Sequence, residues 1–127
     1  MKTEYDICTK EKRISYLEFV DDILINKLGL RITTAGTKYL RELIIYIYLK
    51  DPFEIFIDKE IKCFLKDNNI NKSFTNVKSK IRYAIDYADT NKTRKNFYLI
   101  FGNEYDSYFL TTKHIVETII NLMNKNF

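Results

Sequence analysis

Apolar residues recur at gaps of three and four along most of the chain, the spacing of one helix face. Ile14, Leu17, Val20, Leu24 and Leu28 form a first stripe, with Glu18, Asp21 and Asp22 facing away. Gly29 ends it, since glycine suits the left-handed position after a helix. Thr33 or Thr34 suits the cap of a second helix running to about Lys50. Leu40, Leu43, Ile44 and Ile47 line one side of it, and Tyr39, Tyr46 and Tyr48 widen the apolar surface, which predicts a central place in the core. Arg41 and Glu42 are adjacent, so each is expected to bond to a neighbouring helix rather than to the other. Asp51-Pro52 closes the helix, because proline disfavours helix in the residue before it.

Asp58 reads as the cap of a short third helix, with Glu60 in its first turn and Ile61, Phe64 and Leu65 on its apolar side, ending near Asp67. A polar turn follows, Asn68 to Lys72, holding one apolar residue, Ile70. The next stretch, 73–88, reads SFTNVKSKIRYAIDYA. Phe74, Val77, Ile81, Ala84, Ile85 and Ala88 share one face, and Ser73 suits the cap. Asp89 to Lys92 read as a loop, followed by a segment around Arg94 to Phe101 that ends at Gly102. Thr111 or Thr112 caps a last helix with Ile115, Val116, Ile119, Leu122 and Met123 on its apolar face.

This pattern predicts an all-α fold of about six helices. Residues 1–12, of mixed charge and little periodicity, are expected to be a flexible N-terminal arm, and 13–127 a single helical domain. A short helix, a polar turn and an amphipathic helix make a helix-turn-helix at about 58–88. One stretch supports two readings. Tyr98 to Phe101 and Tyr108 to Leu110 flank the turn-like GNEYD, so 98–110 reads either as helix and loop or as the hairpin of a winged helix.

Composition narrows the class. With 127 residues, 46% of them hydrophobic, the chain is long enough for a core without metals or disulfides. One Pro and three Gly leave little material for a many-turned β sandwich. Ile, Lys, Asn, Tyr and Phe make up about half the chain, a usage that goes with AT-rich codons and a low-GC bacterium or its mobile elements. Cys8 and Cys63 lie far apart without a CxxC pattern, which fits a reducing cytoplasm and speaks against a disulfide framework or zinc site. MKTEYDICTK has no apolar core for a signal peptide, and no run approaches a membrane span.

Charge points to a partner. The net charge is +4. Within 71–95, Lys72, Lys78, Lys80, Arg82, Lys92, Arg94 and Lys95 stand against Asp86 and Asp89, a local +5 that leaves −1 for the rest. Localised positive charge is the footprint of a polyanion binder. The polar face of 73–88 carries Thr75, Asn76, Lys78, Ser79, Arg82 and Tyr83, all hydrogen-bond donors, which suits the base edges and phosphates of a major groove. Asn76, Lys78, Ser79 and Arg82 are the expected base-contacting residues. Lys72, Ser73, Thr75, Lys80 and Tyr83 are expected to hold phosphates, with Lys92, Arg94 and Lys95 as outer contacts; Lys80 lies near the edge of the buried face.

Catalysis is not expected. His114, beside Lys113 at the start of the last helix, is the sole histidine and reads as a surface or capping residue. There is no Gly-rich phosphate loop and no metal-ligand cluster, and Glu104 and Asp106 lack the other positions of a calcium loop. No cofactor is implied.

Leu28-Gly29, Gly36, Tyr39-Leu40-Arg41-Glu42, Ile81-Arg82, Ala84-Ile85 and Phe101-Gly102, followed by the closing helix, stand in a familiar order. Over about residues 14–126 the chain resembles the C-terminal DNA-binding domain of the sporulation-initiation response regulators. The resemblance implies six helices, a helix-turn-helix from the third and fourth, tandem head-to-tail binding to double-stranded DNA, and pairing partly through the C-terminal helices. The family's recognition helix carries Arg, Glu and Arg where this chain has Asn76, Lys78 and Ser79; Arg82 keeps a basic position, and Tyr83 stands where the family has His. Lys in place of a cytosine-accepting Glu implies a different DNA site. No phosphoacceptor receiver domain precedes the matching stretch, so control by phosphorylation is not expected.

Two functions are therefore expected of such a chain. One is a sequence-specific DNA-binding protein, either a transcriptional regulator or an accessory protein at a plasmid or phage site. The other is a protein-interaction module that pairs with a full-length regulator through Ile115 to Phe127 and blocks it.

Overall fold

The computed structural model describes residues 10–127. Among them are six α-helices and no strand: α1 (Lys10–Asp21), α2 (Ala35–Lys50), α3 (Ile57–Asp67), α4 (Phe74–Asp86), α5 (Thr90–Phe101) and α6 (Thr112–Asn126). The all-α expectation holds, and the hairpin alternative falls. Tyr98 to Phe101 complete α5, Gly102 caps it at φ 76°, and Ser107–Phe109 form one short 3₁₀ turn. Of the expected arm, residues 10–12 are the first turn of α1, while the remainder lies outside the described residues.

α2 is the centre. Leu40, Leu43, Ile44, Ile45 and Ile47 are fully buried, and Tyr46 and Leu49 nearly so, around most of its circumference. Thr34 caps its N-terminus by accepting from the Thr37 N–H, and the helix ends at Lys50 before Asp51-Pro52. α4 packs most extensively on α2. Gly36 permits this, because a Cβ there would sit 1.8 Å from the Lys80 carbonyl oxygen and 3.0 Å from the Ala84 Cβ. The two helices meet backbone to backbone.

α1 runs on into a wider π-helical stretch, Asp22–Lys27, in which the Leu28 N–H reaches Ile23 O at 2.8 Å. Gly29 then turns at φ 79°. The helix end is left with orphan carbonyls, and α5 supplies their donors. Asn96 donates to Lys27 O at 3.1 Å, Thr93 to Leu28 O at 2.6 Å, and the Asp89 N–H to Gly29 O at 2.8 Å. That accounts for the burial of Thr93. It also corrects the reading of Asp89 to Lys92 as a loop: Asp89 caps α5, accepting from the Asn91 N–H, and the helix begins at Thr90.

Other corrections concern α1 and α3. Ile14 is 47% exposed, outside the core. Asp21 is half-buried and turns toward α2, where it accepts from Arg41 at 3.3 Å. Glu42 receives the Arg13 guanidinium, so Arg41 and Glu42 each reach α1 as expected, although Arg41 Nη2 also lies 3.9 Å from Glu42. Asp58 is not a cap. α3 starts two residues earlier than that cap implies, at Ile57 after an extended Phe56, and Asp58 joins Glu60 in its first turn.

The α3–α4 connection is a complete Schellman closure. Asn69 takes the left-handed position at φ 53°, the Ile70 N–H bonds Leu65 O at 2.9 Å, and the Asn69 N–H bonds Lys66 O at 3.2 Å. Ile70 tucks back against the core as its hydrophobic partner. Ser73 then caps α4, accepting from the Asn76 N–H at 3.0 Å.

α2 and α3 are joined by a polar cluster. Glu60, only 3% exposed, accepts from Lys50 at 2.8 Å, and the Tyr46 hydroxyl donates to Asp67. Burial and the bond to Asp67 push the Tyr46 phenol well above its usual range. Burial alone would lower the Lys50 pKa, but the hydrogen bond and charge of Glu60 outweigh it, and the net shift is upward. Cys63 is a half-buried thiol on the same helix.

Thr111 caps α6, accepting from the His114 N–H, and His114 Nδ1 lies 2.8 Å from the same hydroxyl. Ile115, Val116, Ile119, Ile120 and Met123 of α6 are buried in the core. No helix of the described residues is long and apolar enough to cross a membrane.

Candidate nucleic-acid interface

α4 divides cleanly. Val77, Ile81, Ala84 and Ile85 are buried against α2 and its neighbours. Thr75, Asn76, Lys78, Ser79, Lys80, Arg82 and Tyr83 are all exposed, as are Lys72 and Ser73 before the helix. So every expected contact on this stretch stands on one solvent face. Lys80, expected near the buried edge, is exposed as well; it is its carbonyl that meets α2. The Ser73 hydroxyl already serves as the cap of α4.

The outward face has a middle and two flanks. Thr75 and Ser79 occupy the middle, and their side chains make no hydrogen bond among the described residues. On one flank, Asn76, Ser79, Lys80 and Tyr83 line an open groove of about 470 Å³ with Thr34, Ala35 and Gly36 from the N-terminus of α2. The first backbone N–H groups of α2 therefore lie beside the α4 face, and a helix N-terminus favours negative charge. Farther along, Tyr83 stacks on Tyr87, ring centroids 4.3 Å apart, and Arg31 Nε donates to the Tyr87 carbonyl at 3.3 Å.

On the other flank both expected base-reading cations have partners. Lys78 Nζ lies 3.0 Å from Asp58 of α3 and 5.3 Å from the centre of the Phe74 ring. Arg82 Nε lies 3.2 Å from Asp86, one helical turn on, while its Nη1 donates to the Leu110 carbonyl at 3.3 Å. These pairs are open to water: Lys78 and Asp58 are 51% and 52% exposed, Arg82 and Asp86 53% and 48%. Opposed charges at that exposure attract weakly and exchange readily with another anion.

The outer contacts stand on a second helix. Lys92, Arg94 and Lys95 are exposed on α5, and the Arg94 guanidinium stacks over the Tyr105 ring at 4.1 Å. They are not on the α4 face itself but on the helix that follows it after Tyr87 to Asp89.

Sequence reasoning missed Asp58, Asp86, Leu110 and the α2 N-terminus as parts of this surface. The Arg82–Asp86 spacing of four was a legible signal. The Asp58 contact and the α2 groove arise only from tertiary packing. Among the described residues no group of three or more His, Cys, Asp or Glu is placed to hold a metal.

No family model, no curated protein and no solved structure matches the chain.

Proposed function

We propose that the chain is a sequence-specific double-stranded DNA-binding protein in which α3, the Asn68–Lys72 turn and α4 act as a helix-turn-helix and α4 enters the major groove. The observation that carries this reading is the outward face of α4. It sets amide, hydroxyl, ammonium and guanidinium donors side by side on one rigid helix whose other face is locked into the core. Such a face matches both the base-edge pattern of a major groove and the phosphates beside it. Asn76, Lys78, Ser79 and Arg82 read bases. Lys72, Ser73, Thr75, Lys80 and Tyr83 hold phosphates, and Lys92, Arg94 and Lys95 extend the contact along the backbone. The role is regulatory or architectural, in the cytoplasm, and needs no catalytic group.

The resemblance to the sporulation regulators supports this proposal through residues that build the fold. Gly36 sets the α2–α4 approach, Arg41 and Glu42 tie α2 to α1, and Gly29 and Gly102 close helices. None of these specifies bases, so the resemblance bears on how α4 is presented and not on the DNA site.

The second reading, a protein-interaction module, draws on a different place. Phe53 and Phe56 stand fully and largely exposed, beside a groove between the 51–56 loop and Lys113, Glu117 and Asn121 of α6. The apolar face of α6 itself is occupied by the core, so pairing through the C-terminal helix would use its polar side and these phenylalanines.

Selection of bound duplexes from a random pool at low and moderate salt separates the two. Enrichment of one motif, with retention falling as salt rises, is the expected outcome. No retention at either salt would refute DNA binding and turn the search to a protein partner.

A further inference from the structure

We infer that Asp86 is a positioning residue, which with the Leu110 carbonyl holds the Arg82 guanidinium ready for a base edge and so sets how well the protein tells its site from other duplex DNA. This rests on the reading of α4 as a major-groove helix.

Arg82 is exposed, and its contacts bias its orientation without locking it. Its Nη1 donates to Leu110 O at 3.3 Å, and its Nε lies 3.2 Å from the Asp86 carboxylate as an ion pair. A guanidinium has five N–H donors in a planar fork, so one hydrogen bond to Leu110 O and the ion pair with Asp86 bias its placement and leave the Nη2 donors without a partner among the described residues. An unheld arginine must be ordered when it binds, and holding it beforehand removes that cost.

Stability does not explain Asp86. An exposed pair of this kind contributes little, and a carboxylate in the last turn of a helix opposes the helix dipole. Affinity for a polyanion does not explain it either, since a negative charge on the binding face repels phosphate. Orientation of Arg82 is what Asp86 supplies. The Leu110 anchor carries a second consequence: it ties the end of α4 to the segment leading into α6, so the placing of Arg82 depends on the 107–111 turn as well as on its own helix.

The test compares wild type, Asp86→Ala and Asp58→Ala on the selected duplex and on an unrelated duplex of equal length. Asp86→Ala is expected to bind the unrelated duplex two- to fivefold more tightly and to lose about tenfold in the ratio of specific to unrelated affinity. The Arg82 Nε–Hε signal of the DNA-free protein is expected to move to the position of a solvated arginine in the same variant. Asp58→Ala leaves that signal in place. If wild type selects a site and Asp86→Ala keeps its ratio, or loses it with the Arg82 signal unmoved, the inference fails while the DNA reading stands. If wild type selects no site, the DNA reading fails and takes the inference with it.

Discussion

Lys50–Glu60 and Lys78–Asp58 are the same chemical pair at nearly the same distance, 2.8 and 3.0 Å, and they do different work. Glu60 is buried between α2 and α3, so its charge has no water to turn to and the Lys50 ammonium is its main compensation. Asp58 is half exposed, and so is Lys78. Removing either leaves the other solvated. Burial, not distance, decides that the first pair belongs to the fold and the second is available for exchange with an outside anion. The same contrast runs across α4: its inner face is fixed by close packing on α2, and its outer face holds charges in contacts that cost little to break.

Disturbing the inner face should have the largest effect. Gly36→Ala places a methyl against the Lys80 carbonyl, which is backbone and cannot swing away, so α2 and α4 must part. A loss of about 3 kcal/mol is expected, despite the better helix propensity of alanine, and urea unfolding measures it. A variant as stable as wild type would mean that the close approach is not required. Next comes Lys50→Ala, which strands the Glu60 carboxylate. The expected cost is about 2 kcal/mol, below that of a fully enclosed pair because Lys50 is itself partly exposed. Adding Glu60→Gln to Lys50→Ala should recover part of the loss; no recovery would place the cost in the lysine's packing.

A smaller effect should appear at high pH. Tyr46 and Lys50 both have pKa values raised by folding. A raised folded value means that the proton is held more tightly in the native state. That stability is present below the unfolded values, around pH 10 for both groups, and is lost as pH rises through the folded ones. Thermal unfolding between pH 8 and 11 should show a falling midpoint above about pH 10, with Tyr46→Phe less sensitive than wild type. A flat profile would contradict the linkage.

Much of this was legible in the chain. The caps Thr34, Ser73 and Thr111, the polar turn after α3, the stop at Asp51-Pro52 and the central place of α2 follow from local rules, and each holds. Local rules failed where tertiary contacts redirect a residue. Asp89 looked like loop because nothing local shows that α5 must start early enough to cover the carbonyls at Lys27 to Gly29. Asp58 looked like a cap because aspartate usually is one, and here it serves as the partner of Lys78. Ile14 is in register with the apolar stripe but lies largely exposed, while Arg13 and Tyr16 take the inward positions at that level of α1. For the candidate interface, periodicity selected the exposed face of α4. It could not show that α2's N-terminus lies beside that face, or that both cations on its flank are held.

The central claim is that the outer face of α4 serves recognition and not stability. Measuring Arg82→Ala for unfolding free energy and for affinity to the selected duplex, side by side, tests it most directly. Unfolding should change by no more than about 0.5 kcal/mol, while binding should weaken by about 1–3 kcal/mol and specificity relax at one base position. A large loss of stability with duplex binding unchanged would contradict it.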